Sequence, residues 1–179
     1  NFQQHEISVK EMKIHPEYIR TLKFCPGYSL AMGFADLNTA KPMMEDTEQF
    51  MEEFDETAPK LSSKFKGSKH DQFKVCWYPE DDANELMTQK CKVQKHYSKD
   101  KGSKAIYYKS LDSAKYCQSG APILARNEQT EDYEIVGLNI GEVIDGKNIG
   151  MLFTPEIKKW IKASSKKYFD KLKGKKEGR

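Results

Sequence analysis

The residue whose surroundings best suit chemistry is Ser119, in the run YCQSGAPIL at 116–124. Gly120 follows it, then Ala121 and Pro122, with short β-rich stretches on either side. A glycine there lets the backbone turn sharply and present Oγ outward, and the N–H groups of such a turn are able to face a developing oxyanion. A serine hydroxyl stays a weak nucleophile until a base takes its proton. The chain has four histidines, His5, His15, His70 and His96. Each reads as structural or solvated, and none is identifiable as the base for Ser119. The cysteines Cys25, Cys76, Cys91 and Cys117 form no CxxC pair, which argues against a zinc site made of cysteines alone. No motif calls for a metal or cofactor. Two disulfides in any of three connectivities stay open beside four reduced thiols; reduced thiols are preferred and favour an intracellular setting.

The elements that must hold this turn are legible from periodicity. Six short β-rich stretches follow one another: FKVCWYP, KCKVQKHY, KAIYYKS, APILAR, YEIVGLNIG and NIGMLFT. Separated by turn residues over about eighty positions, they are what a small antiparallel barrel needs. The end of the chain reads as a helix. Thr154 is placed to cap it, Pro155 fits its first position, and Ile157, Trp160, Ile161, Ser164, Tyr168 and Leu172 make one stripe. Upstream, residues 3–22 suggest a strand followed by a proline-containing loop, and residues 27–37 a buried strand. Residues 43–54 have the spacing of an amphipathic helix with an acidic outer face, and 61–71 read as a polar linker or exposed hairpin.

Charge is modest overall, +3 on 179 residues, but unevenly spread. Residues 45–56 hold seven acids and no base, whereas 156–179 hold ten bases and three acids. With 27 lysines and 3 arginines, the chain lacks the guanidinium groups that nucleic-acid readers depend on. No apolar run approaches the roughly eighteen residues of a membrane helix.

In order and spacing, the stretches CWYP (76–79), ELMTQKCKV (85–93), IYYKSLDS (106–113), CQSGAP (117–122), YEIVGLNIG (133–141) and NIGMLFTPEIKKWI (148–161) resemble the glutamyl-endopeptidase-like branch of the chymotrypsin/trypsin superfamily. The resemblance covers 73–161 well and is thinner before it. It implies an all-β fold with a C-terminal helix, a chymotrypsin-like antiparallel β-barrel whose second barrel is complete and whose first is partial. The expected divisions are 1–40, remnant strands of a first barrel; 41–72, an acidic helix and linker; 73–154, the second six-stranded barrel; and 155–179, a basic C-terminal helix and tail.

The resemblance also assigns positions. Ser119 takes the nucleophile's place, Cys117 and Ser119 the oxyanion-hole positions, and Ser113, Asn139, Ile140 and Gly141 positions along the substrate cleft. The segment IHPEY (14–18) is similar to the one preceding the catalytic aspartate; laying SLAM (29–32) on the next strand puts Ser29 where that aspartate stands, and a shift by one puts Tyr28 there. Three departures follow: no histidine in range, no aspartate, and Cys117 where the family keeps glycine. Asn139 replaces the histidine that often reads glutamate, so glutamate specificity has no support. The implied function is a non-catalytic protein of protease fold, a structural or binding subunit of a larger assembly. The alternatives are an active endopeptidase whose histidine lies upstream of Asn1, and a nucleic-acid-binding module using the basic tail. Other protein subunits are the expected partners, with an acidic surface docking on Lys158, Lys162, Lys166, Lys167, Lys171 and Lys173; membrane and nucleic acid are disfavoured.

Overall fold

The computed structural model describes residues 9–21, 30–35, 59–78, 86–100, 102–111, 119–143 and 147–177. Six antiparallel strands close a barrel in the order β3-β4-β5-β8-β7-β6. They are β3 (Gln72–Trp77), β4 (Met87–Asp100), β5 (Ser103–Ser110), β6 (Pro122–Arg126), β7 (Tyr133–Val143) and β8 (Lys147–Leu152). Each of the six expected stretches supplies one strand. Ahead of them, β1 (Val9–Ile14) and β2 (Ala31–Ala35) form a separate antiparallel pair. A C-terminal helix, Pro155–Glu177, follows β8.

Alternation explains the barrel interior. Along β3, Phe73, Val75 and Trp77 point inward, and they meet Cys91 and Val93 of β4, Ile106 and Tyr108 of β5, and Ile123 of β6. On β8 both faces are covered, so the alternation vanishes and Asn148 to Leu152 are all buried. Leu152 enters the barrel core, while Met151 and Phe153 pack outside it with Leu30 and Ile157. That outer cluster lies under the C-terminal helix. A strand buried on two faces reads as a continuous apolar run, which is how NIGMLF appears in the sequence.

The helix begins as its residues dictate. Thr154 Oγ1 accepts the Ile157 N–H at 3.2 Å and donates to the Gly102 carbonyl at 3.0 Å. One hydroxyl therefore caps the helix and ties it to the turn before β5. Ile157, Ser164 and Tyr168 are buried and Trp160 and Ile161 partly so, as the stripe requires; the Leu172 side chain is outside the described set. The far end of the helix holds the β1–β2 pair: Tyr168 stacks on Phe34 at 4.4 Å, and Lys171 pairs with Glu11 at 3.0 Å.

Two expectations need correction. The turn after β1 is a short helix, α1 (Pro16–Thr21), not a loop. Pro16 occupies its first position without giving up a needed N–H, and His15 Nδ1 accepts the Glu17 N–H at 3.3 Å. The segment 61–71 is laid against the barrel instead of standing off it. Ser62 N–H bonds the Ile135 carbonyl, Ile135 N–H bonds the Lys60 carbonyl, and Gly67 is buried. A Cβ on Gly67 would come within 2.7 Å of Leu152. The expected acidic helix at 43–54 falls outside the described residues.

His15 is buried beside Trp160, with ring centroids 4.9 Å apart. Burial holds its pKa below the ordinary histidine value, with the Glu17 charge opposing. The unfolded chain then binds more protons, so stability is full above the unfolded value of about 6.5 and is lost as pH falls below it. His15→Asn keeps a cap acceptor and removes the titrating ring. Thermal melts from pH 7.5 to 5.5 should show a steeper loss in the wild type than in this variant; parallel losses would contradict the assignment.

Candidate functional site

The site is built from three backbone features. β6 starts at Pro122, so the turn carrying Ser119 and Gly120 sits at its mouth. Gly120 has φ +89°, in the region that favours glycine, and no atom lies within 4 Å of where its Cβ would be. Conformation is thus the requirement at Gly120, and space is not. The turn is stitched to β7 by two backbone bonds of 2.8 Å, Gly120 N–H to the Asn139 carbonyl and Asn139 N–H to the Ala121 carbonyl.

The third feature is a bulge. Pairing of β7 with β8 runs Asn139↔Gly150 and then Gly141↔Ile149, so the register skips Ile140. Gly141, with φ +153°, absorbs the irregularity, and a Cβ there would lie 3.4 Å from Ser119 Oγ. Ser119 Oγ donates to the Ile140 carbonyl at 2.6 Å. Bulges near functional sites re-aim groups in this manner. The hydroxyl is exposed and its proton is directed at a main-chain oxygen.

The other expected positions fall into two sets. Asn139 is 1% exposed, and its Oδ1 accepts the hydroxyl of the fully buried Tyr108 at 2.8 Å. Its side chain is part of the barrel interior, a pairing across 31 residues that no local pattern announces. Ile140 and Gly141 flank Ser119 as described. Ser29, Ser113 and Cys117 lie outside the described residues, as do Cys25 and His5. Of the two cysteines described, Cys76 lies 3.7 Å from the Thr88 hydroxyl and Cys91 is a buried thiol donating to the Gln89 carbonyl.

The three described histidines are placed elsewhere. His15 sits under the C-terminal helix, His70 has a left-handed backbone (φ 81°) in the turn before β3, and His96 lies on β4 opposite Ile106. No hydrogen bond joins any of them to Ser119. The groups with perturbed titrations owe them to other neighbours. Burial lowers His96, with Lys104 adding to it; burial lowers Lys104, opposed by Asp71. A hydrogen bond from Lys171 holds Glu11 low, and bonds from Ser62 and then Asn127 hold Glu134 low. Among the described residues no three His, Cys, Asp or Glu side chains group to hold a metal, and no helix is long and apolar enough to cross a membrane.

No family model and no curated protein sequence matches the chain. Solved structures do. One, a Glu endopeptidase in complex with MPD, superposes with a TM-score of 0.55 at 17% identity, covering 87% of this chain and 62% of that one. The chain thus spans under two thirds of the length of that structure. At this identity the likeness carries the fold: a chymotrypsin-like closed antiparallel barrel with a C-terminal helix.

Tyr108→Phe deletes the bond to Asn139 inside the core. Removing one partner of a buried pair costs about 1–3 kcal/mol. Urea unfolding should show that loss with an unchanged slope; a loss below the error of the fit would mean the pair adds nothing to stability.

Proposed function

We propose that this chain is a protein of serine-protease fold that does not hydrolyse peptide bonds, and that it serves as a structural or binding subunit of a larger assembly. The observation that carries the reading is the 2.6 Å bond from Ser119 Oγ to the Ile140 carbonyl. In acyl transfer the serine proton must pass to a base whose affinity for it is near that of an imidazole. A peptide carbonyl orients the hydroxyl but does not take its proton. Loss of triad members removes about four to six powers of ten in rate.

The sequence supports the same reading at positions outside the described residues. Ser29 stands where the resemblance calls for a carboxylate, and Cys117 where it calls for glycine. The subunit role rests on the β1–β2 pair. Its outward side chains Val9, Met12 and Ile14 are 56%, 64% and 44% exposed, while Glu11 and Lys13 turn toward the C-terminal helix. A two-stranded sheet with an apolar open face is marginal alone and is the sort of surface soluble proteins cover.

The test is cleavage of a complex peptide mixture, read by mass spectrometry. Wild type and Ser119→Ala should give the same fragments as buffer. New termini that appear with wild type and vanish with Ser119→Ala would make the chain an endopeptidase.

A further inference from the structure

The C-terminal helix has two unlike faces. Ile157, Trp160, Ile161 and Tyr168 face the barrel and β2. On the other side Lys158, Lys162 and Lys166 fall at four-residue intervals, which places them in one row along the helix. Lys159 flanks the row. With Pro155, Ala163 and Ser63 from the segment laid on the barrel, these lysines line a shallow groove of about 520 Å³.

None of the four lysines forms an ion pair with a described residue. Ion pairs among the described residues join Lys13 to Glu11, Arg20 to Glu17, Arg126 to Glu131 and Lys171 to Glu11. Among the acids nearby, Glu134 is engaged by Ser62 and Asn127 and feels Lys64 and Lys158 only through space. Glu156 in the first turn and Asp170 beyond the groove complete the helix's own acids in the described stretch before its last residue. Eight residues of helix span about 12 Å. That is close to the Debye length of about 10 Å at 0.1 M salt, so the row acts on a neighbour as one positive field. Lys171 is set apart from it by its bond to Glu11.

We propose that this groove docks an acidic polypeptide segment of a partner protein, its carboxylates spaced to meet Lys158, Lys162 and Lys166. The inference rests on the reading of the chain as a binding subunit and names the partner's chemistry. A peptide fits better than a nucleic acid. The groove offers no arginine fork for phosphate and no aromatic ring for a base to stack on. Pro155 and Ala163 among its lining instead suit aliphatic side chains between the carboxylates.

The experiment uses the full chain and a fluorescent helical peptide carrying glutamate at every fourth position. Wild type should bind it, and binding should weaken as salt rises from 0.01 to 0.1 M. The triple reversal Lys158→Glu, Lys162→Glu, Lys166→Glu should bind at least about tenfold more weakly. Lys95→Glu, at an exposed position on β4 outside the groove, should bind as wild type does. Should the reversal variant fail to fold by circular dichroism, the milder Lys→Gln triple at the same positions should still bind about threefold more weakly. No binding by wild type, equal binding by a folded triple variant, or equally tight binding of single-stranded RNA would each overturn the proposal. Serine reactivity is a separate readout: a protein that cleaves peptides yet binds this probe through the row loses the non-catalytic reading and keeps the groove.

Discussion

The barrel closes where β3 meets β6, and that seam is short. Only Lys74↔Leu124 and Val75↔Ile123 are paired across it, against six pairs between β3 and β4. What the ladder lacks in length is made up inside, because Val75 and Ile123 are both fully buried in the core they share. Directly before β6 comes the turn of Ser119 and Gly120, so closing the seam fixes that turn. Strand β7 grips it from the other side, and the bulge at Ile140 presents a carbonyl to the hydroxyl. The serine's orientation is therefore a consequence of barrel closure.

This dependence bears on what the serine is able to do. A nucleophile needs a proton acceptor held by a separate element that can be aimed at it. Here the acceptor is main chain from the barrel itself, and it offers a hydrogen bond without proton transfer. The turn that presents the hydroxyl is held in place, with glycine supplying the unusual backbone at 120. The groups that would turn orientation into chemistry are not assembled among the described residues. Elsewhere the chain's charges serve docking of its own parts, as Lys171 and Lys13 do for β1, while the lysine row on the opposite helix face is unsatisfied by described acids.

The six barrel strands were legible because a period of two and turn residues are local signals, and the helix because a cap, a proline and a stripe coincide. What was not legible depends on partners far along the chain. Residues 61–71 look like a linker by composition, yet Ser62 is buried because Ile135, some seventy positions on, supplies backbone bonds. Asn139 takes a cleft position by resemblance, and its bond to Tyr108, 31 residues away, is not announced by any local pattern. Pro16 reads as a breaker, although at a helix's first position it is a starter. Among the site residues Ser119 was legible from its own motif. The role of Ile140 was not, since it comes from a register skip that only the pairing of β7 with β8 reveals.

The central claim is that no base activates Ser119, and its reactivity tests that most directly. The full chain is treated with a fluorophosphonate probe at neutral pH, and intact mass and peptide mapping follow. Labelling of the peptide containing Ser119 should not exceed that of Ser119→Ala. Stoichiometric phosphonylation of Ser119 would mean that a base reaches it, and would contradict the non-catalytic reading.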